Sequence, residues 1–475
     1  MARRPAALLV FFAAAATAAA TAAAPPQLEY AARAFALLDR LATCDYALGV
    51  FPTEALWQAG NTLEALSTAV ALLRDGTGEA AAPGRVAAWL GMLNMSFALT
   101  PVIVDQCFDD HQWWLHAWLR AFEVSGNLAY GKRAAAVFDY VVANGWTPAF
   151  CGGGVDWCPV SGSNKPYKNA VTSGLFLAAA MALAPHEASL GKPAGFFVGW
   201  AETTWAWLDA SGMQGVDGLL NDGLTQDACV NNAQTTWTYN QGLPLSGLGR
   251  LAAAQGGNAS LEAAALGLLS SSMEHLTTDG GILAEPCGSS CDNDQHIFKG
   301  VFVRHAAYLA AAQPAARALV ATFLGAQAQS LLANASCATG GFGNLWQGPP
   351  CSSQSTASDS AALDLLLSAA LVAPAPPATP WRALGVGACV DAQARTMPTC
   401  SAVVAGGEAG CRAAAEADAA SKAYSIETGC LGVSVCTVST SASSCAQGWA
   451  RSPGSGGSTV SAVDGKALTL CVARA

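Results

Sequence analysis

An all-α domain followed by a small cystine-stapled module is the fold class this chain predicts, on three observations. Between Gln27 and Ala373, apolar residues recur at helical spacing in window after window, and Ala and Leu, both strong helix formers, dominate them. Alternating strand patterns are nearly absent from the same stretch. Beyond the Pro-rich run Ala373-Pro374-Ala375-Pro376-Pro377-Ala378-Thr379-Pro380, the composition turns to Ser, Ala, Gly and Cys.

The first residues read as a secretory signal. Arg3 and Arg4 form a charged start, Ala6 to Ala16 an apolar run, and an Ala/Thr stretch leads to Ala24-Pro25. Residues 1–24 are therefore set aside from the fold, and the mature chain is expected to be secreted. Helices are predicted over 28–42, 54–74, 84–98, 110–125, 127–144, 167–184, 197–210, 237–255, 259–276, 296–312, 314–333 and 355–372. Glycine-marked loops break them: Cys151-Gly152-Gly153-Gly154, Asp217-Gly218, Asp222-Gly223, Asp279-Gly280-Gly281 and Gly340-Gly341-Phe342-Gly343. Antiparallel helix pairs joined by short loops close into a double ring, an (α/α)6 barrel, with the functional loops at one end. A solenoid of helical pairs would show a repeat of about 30–45 residues; none is visible, so closure over 25–373 is expected. Residues 374–381 read as a stiff linker. In the module, 382–475, one helix is predicted near 408–422 and strands over 432–438 and 467–473, with disulfides replacing a large core.

The 475 residues are 52% hydrophobic and 12% charged, enough to bury a sizeable core, and the net charge of −10 argues against a nucleic-acid partner. After the signal no stretch is apolar for long enough to span a bilayer, and the C-terminus lacks the long apolar tail of a lipid-anchor signal. Sixteen cysteines behind a signal peptide imply disulfides; nine precede Pro374 and seven follow it. Because both counts are odd, either one bridge joins the two regions or some thiols stay free. Cys151/Cys158, Cys287/Cys291 and Cys337/Cys351 are the candidate local pairs. Irregular spacings and only six histidines disfavour zinc, and neither a metal nor a cofactor is expected. Asn94-Met95-Ser96, Asn258-Ala259-Ser260 and Asn334-Ala335-Ser336 permit glycosylation. A monomer is expected.

The stretch Asp105-Gln106-Cys107-Phe108-Asp109-Asp110-His111-Gln112-Trp113-Trp114 carries the chemistry. An amphipathic run follows it, so the two aspartates stand at a helix start. There an isolated Asp-Asp caps free N–H groups and complements the helix dipole. The adjoining tryptophans add a second reading: flat indole faces beside paired carboxylates suit a sugar ring, although stacked tryptophans also build cores. Neighbouring Cα atoms lie about 3.8 Å apart. Carboxyls on them reach the roughly 5–5.5 Å of a retaining glycosidase more readily than the roughly 6.5–9.5 Å of an inverting one.

Further candidates each carry two readings. Asp156 and Trp157 follow a Gly-rich loop and form either a sugar subsite or a cystine-locked turn. Tyr167, Lys168 and Asn169 could donate to sugar hydroxyls, or Lys168 could be a solvated charge. Trp237, Tyr239, Asn240 and Gln241 combine aromatic faces with amides; otherwise they are core and cap. Asp279, Asp292, Asp294 and Lys299 flank a Gly/Cys-rich loop, and Asp292-Asn293-Asp294 lacks the full EF-hand spacing, which favours capping or a subsite over calcium. No phosphate-binding glycine loop or Gly-x-Ser-x-Gly elbow is present.

Five pieces in order carry a resemblance: Leu56-Trp57-Gln58-Ala59-Gly60-Asn61; Phe108-Asp109-Asp110-His111-Gln112-Trp113-Trp114; Cys151-Gly152-Gly153-Gly154-Val155-Asp156-Trp157 with Tyr167-Lys168-Asn169-Ala170; Trp237-Thr238-Tyr239-Asn240-Gln241-Gly242; and Thr278-Asp279-Gly280-Gly281-Ile282-Leu283 with Phe298-Lys299-Gly300-Val301-Phe302. Over Leu56 to Ala370 the chain resembles glycoside hydrolase family 76, the α-1,6-mannanases and their fungal cell-wall relatives. The resemblance implies an (α/α)6 barrel and retaining cleavage of α-1,6-mannosidic bonds in a mannan-type polysaccharide. It makes Asp109 the nucleophile and Asp110 the general acid/base. Sugar contacts are then expected from Trp57, Gln58, Trp113, Trp114, Asp156, Trp157, Lys168, Asn169, Trp237, Tyr239, Asn240, Gln241, Asp279 and Lys299. His111 after the pair, and Thr172-Ser173-Gly174 after the Tyr-Lys-Asn-Ala piece, depart from the family's usual residues. A mannan transglycosylase using the same site and a non-catalytic glycan-binding protein are the alternatives.

Overall fold

A helix that is apolar on most faces must be enclosed by other helices, and this sorts the helices here into two sets. The computed structural model describes residues 26–75, 83–103, 107–159 and 166–373, and six strands between 383 and 473. The described residues form twelve α-helices: α1 (Pro26–Cys44), α2 (Leu56–Arg74), α3 (Pro83–Leu99), α4 (Phe108–Ser125), α5 (Leu128–Asn144), α6 (Ala170–Leu183), α7 (Phe196–Ala210), α8 (Thr238–Ala254), α9 (Ala259–His275), α10 (Phe298–Ala312), α11 (Arg317–Ser330) and α12 (Thr356–Val372).

The even-numbered set is enclosed. Every residue of α6 is buried, and α2, α8 and α12 are buried on nearly all faces. These helices pack in a ring, α2 on α4, α4 on α6, and so through α8, α10 and α12 back to α2. The odd-numbered helices lie outside, each against an inner neighbour. Helix α1 shows why: Tyr30, Ala31, Ala34, Phe35, Leu38 and Leu41 form one buried stripe, leaving its other face to water. The result is the expected (α/α)6 barrel.

Glycines let the inner ring close. A Cβ on Gly242 of α8 would stand 2.5 Å from Phe302 Cα, and one on Gly300 of α10 would stand 2.7 Å from Ala361 Cα. Buried polar groups then tie the ring together. Arg304 of α10 lies 3.3 Å from Asp364 of α12 and 3.6 Å from Glu64 of α2, and the Tyr308 hydroxyl donates to Glu64 at 3.0 Å.

Helix starts follow local capping. Helix α6 begins at Ala170 rather than at 167, because the Asn169 side chain accepts from Thr172 N at 3.2 Å. Pro314 opens a 3-10 turn over Pro314–Ala316, which delays α11 to Arg317. All inner helices point their N-termini to one end of the barrel. The fully described loops that enter there include 211–237, 276–297 and 336–355, each longer than the returns 126–127, 184–195 and 255–258.

Four disulfides are defined: Cys107–Cys158, Cys151–Cys229, Cys287–Cys291 and Cys337–Cys351; Cys44 is also disulfide-bonded. The expected Cys151/Cys158 pair does not form. Gly152, Gly153 and Gly154 turn the chain at φ +72°, +143° and +81°, which carries Cys158 to the start of α4 and leaves Cys151 facing the 211–237 loop.

Strands β1 (Ala383–Val386), β2 (Thr399–Val403), β3 (Ser421–Thr428), β4 (Ser434–Thr440), β5 (Ala450–Ser452) and β6 (Leu470–Ala473) form an antiparallel sheet in the order β1-β6-β3-β4-β2-β5. The strands expected at 432–438 and 467–473 overlap β4 and β6. Ser421 and Lys422, expected to end a helix, instead open β3. The rest of that helix, the signal at 1–24 and the linker at 374–381 lie outside the described residues.

Candidate active site

The first turn of α4 presents the acid pair. Cys107 is its N-cap residue in extended backbone, and Asp109 and Asp110 follow in the first turn, both partly exposed. Carboxylate oxygens of the two approach within 4.8 Å of each other. The Asp109 carboxylate accepts from Asp110 N at 3.0 Å through Oδ1 and from the Trp157 indole N–H at 2.8 Å through Oδ2. Cys107 Sγ lies in the same group, but it is bonded to Cys158 and has no thiolate to offer a cation.

An aromatic floor adjoins the pair. Trp57 of α2 packs at 5.5 Å from Trp113 of α4; Trp113 stacks at 6.4 Å on Tyr239 of α8; Tyr239 stacks at 3.9 Å on Phe298 of α10; and Trp237 meets Phe298 edge-on at 5.6 Å. Trp57, Trp237 and Tyr239 keep part of their surface open, while Trp113 is 3% exposed and supports them from beneath.

Acidic groups surround Tyr239. Burial, then the charges of Asp222, Asp109, Glu285 and Asp294, push its hydroxyl well above the usual tyrosine range. Burial raises Asp222, while the Tyr167 hydroxyl and the Asn240 amide pull it back. Burial also raises Asp294, which accepts from the Trp57 indole at 3.3 Å. Glu285 is pushed up to about 7 by burial against Thr238 and the Lys299 charge; Lys299 is pushed down to about 8 by burial, opposed by Glu285. The arrangement is a flat apolar floor with an acid rim, suited to a neutral polyhydroxylated ring.

Several expected sugar contacts instead hold the protein together. Lys168 and Asp156 are both buried and form an ion pair at 2.7 Å. Trp114 is fully buried, with its indole donating to Leu56 O at 3.0 Å. Gln58 caps α2 through Ala55 N at 2.9 Å and holds Asn293 O at 2.8 Å. Asn169 caps α6, and Gln241 clamps Leu220 N and O, each at 2.8 Å. Asn240 is buried beside Asp222. Lys299 is buried, donating to Asn344 O with its amine 4.6 Å above the Trp346 ring. Asp279 is exposed in the turn between Thr277 and Leu283. Asp292 accepts from Asp294 N at 3.0 Å and Gln295 N at 3.3 Å where the following 3-10 turn begins.

Asp222, Glu285 and Phe298 were not singled out as site residues. Asp222 lies in a stretch legible only as an Asp-Gly loop marker, and Glu285 has no motif around it. Phe298 opens one of the resemblance pieces, but by residue type it reads as an apolar position at a helix start rather than a sugar contact.

Fold and site together define an (α/α)6 barrel of the glycosidase kind, with an acid pair beside an aromatic floor. The sequence profile of Glycosyl hydrolase family 76 matches residues 28–379, and the chain belongs to that family. It is 31% identical over 216 residues to the mannan endo-1,6-alpha-mannosidase DCW1 of Candida glabrata, a match covering 44% of this chain and 46% of that protein. It is 28% identical over 228 residues to DCW1 of Saccharomyces cerevisiae, covering 45% and 49%. The chain thus spans about half the length of the curated relatives it matches. Among solved structures, it resembles the α-1,6-mannanase GH76A of Salegentibacter sp. HEL1_6, in an inactive variant with two adjacent aspartates replaced by alanine and α-1,6-mannotetrose bound. The TM-score is 0.61 at 20% identity, over 73% of this chain and 99% of that one. Dfg5 from Chaetomium thermophilum, in complex with glucosamine, gives 0.58 at 19% identity over 74% and 92%. At these identities the likeness is one of fold.

Proposed function

We propose that this protein is a retaining glycoside hydrolase acting on α-1,6-mannosidic bonds of a mannan outside the cytosol. The observation that carries the reading is the adjacent acid pair, with oxygens within 4.8 Å, beside the Trp57–Trp113–Tyr239–Phe298 floor. Two carboxyls so close leave little room for a water between the acid and the sugar carbon, which favours a covalent route over direct displacement. The named activity of the relatives supports the linkage. The inactive Salegentibacter variant supports the acid pair, since this chain holds a single Asp-Asp dipeptide. Four disulfides among the described residues support an oxidising compartment.

The surroundings support the expected roles. Asp109 accepts an indole N–H, a donor that suits a carboxylate poised to attack, and this supports the reading of Asp109 as the nucleophile. Its oxygen bonds to the anomeric carbon as the glycosidic bond breaks, and Asp110 delivers its proton to the departing oxygen. Asp110 then takes a proton from water as that water's oxygen displaces Asp109 from the sugar. The floor receives the C–H face of the ring while the acid rim takes its hydroxyls.

Incubation with linear α-1,6-mannan tests the reading. Shortened oligomers with initial retention of the anomer are expected, and Asp109→Asn and Asp110→Asn should each abolish them while leaving the circular-dichroism spectrum unchanged. Lengthened chains would assign transfer to a second glycan, and binding without cleavage would assign a lectin.

A further inference from the structure

Trp157 occupies an unusual position for an exposed aromatic. The residue is 43% exposed, so burial alone does not fix its side chain. Its backbone is held on both sides: Phe108 N donates to Trp157 O at 2.7 Å, and Trp157 N donates to Tyr167 O at 2.8 Å. The bridge from Cys158 to Cys107, the N-cap residue of α4, fixes the next residue along the chain to the helix that carries the acid pair. The Trp157 ring meets the Tyr167 ring edge-on at 6.1 Å, and its indole N–H donates to Asp109 Oδ2 at 2.8 Å. Since Asp109 Oδ1 takes the Asp110 N–H, both oxygens of that carboxylate are pinned, one by its own helix and one by the bridged loop.

We propose that Trp157 is a positioning residue for Asp109, and that the Cys107–Cys158 disulfide is the clamp that holds its indole N–H in place. This rests on Asp109 being the nucleophile. The N–H fixes the rotation of the carboxylate and favours its charge; without the bridge, a mobile loop would supply that donor only part of the time. The other use of an exposed indole, as a stacking platform for a distal sugar, predicts a different kinetic signature.

The test uses the full chain. Trp157→Phe keeps an aromatic ring and removes the N–H. It is expected to lower kcat roughly 10- to 100-fold on α-1,6-mannooligosaccharides, the range for a hydrogen bond to a charged group, with little change in KM. It should also move the acidic limb of the kcat/KM profile upward. The paired substitution Cys107→Ala with Cys158→Ala should change kcat and the limb in the same direction by less. Carbon-13 NMR titration of the Asp109 carboxyl reads the same shift without turnover. A raised KM with kcat and the acidic limb unmoved would overturn the inference in favour of a platform. Unchanged kinetics in the cysteine pair would overturn the clamp. If wild-type protein cleaves mannan and Asp109→Asn does not, while Trp157→Phe matches wild type, this inference fails and the proposed function stands. If Asp109→Asn remains active, both fall.

Discussion

Lys168 Nζ lies 2.7 Å from Asp156 Oδ1 in a pocket closed to water. Burial pulls the lysine amine below its ordinary range, and Asp156 opposes that. The amine also donates to Gly154 O at 2.6 Å, and the Thr147 hydroxyl reaches both Asp156 oxygens at 3.0 and 2.9 Å. The pair therefore fastens the loop carrying Trp157 to the start of α6. Lys168→Met strands a buried carboxylate and is expected to cost about 3–5 kcal/mol of stability. Adding Asp156→Leu should recover part of that, since no charge is then left unpaired. Urea denaturation midpoints decide the matter; a double variant less stable than Lys168→Met alone would contradict this account.

Stability should fall as pH rises from about 5 to 8. Burial raises Glu54 to about 8 and Asp364 and Glu285 to about 7. Each folded group keeps a proton that the unfolded chain releases above about pH 4 for Asp364 and about 4.5 for the glutamates, so its contribution is full below that pH and is lost as pH climbs to and through the folded value. Glu54 takes hydroxyl bonds from Thr62 at 2.9 Å and Ser360 at 2.6 Å, tying α2 to α12. Melting temperatures are expected to be higher at pH 5 than at pH 8, with Glu54→Gln flattening the slope between pH 6 and 8. An equal slope in that variant would remove Glu54 from the explanation.

Trp57 and Trp114 make a matched pair for the aromatic floor. Trp57 keeps an open face, packing on Trp113 at 5.5 Å and Phe298 at 6.2 Å, whereas Trp114 is buried against Trp118 at 5.3 Å. In an Asp109→Asn background, Trp57→Ala should weaken α-1,6-mannotetraose binding about tenfold by calorimetry. Trp114→Phe should lower the melting temperature and leave binding alone. Equal affinities for Trp57→Ala and its parent would displace the floor from the binding site.

The helices were legible because Ala/Leu windows end at glycine-marked turns, and the expectations land within a few residues of all twelve. The slips occur where a side chain or ring sets the boundary, as Asn169 does for α6 and Pro314 for α11. The acid pair stood out in the sequence through its place at a helix start beside Trp113 and Trp114, since an isolated Asp-Asp there reads as a cap. The support around it was not: Trp157 reaches Asp109 across 48 residues, and Cys158 bonds Cys107 across 51 rather than the nearby Cys151. Buried charges were misread for the same reason. Lys168 in sequence looks like a donor to a ligand, and only the folded chain places Asp156 and Gly154 O around it.

The inner ring makes the most local prediction. Gly242 sits in the second turn of α8, just after Tyr239, and a Cβ there would come within 2.5 Å of Phe302 Cα and 3.2 Å of its Cβ. That neighbour is backbone and cannot swing aside, so α8 and α10 must separate. Gly242→Ala is expected to destabilise by about 1–3 kcal/mol, as overpacking does. Gly267, in the middle of the outer helix α9, faces open space, and Gly267→Ala should stabilise by about 0.5–1 kcal/mol through helix propensity. Because Tyr239 and Phe298 stack at 3.9 Å across the α8–α10 seam, only the inner substitution should also weaken mannooligosaccharide binding. Paired melting curves and titrations of the two variants separate steric closure from propensity; a neutral Gly242→Ala would mean the ring has slack that these distances deny.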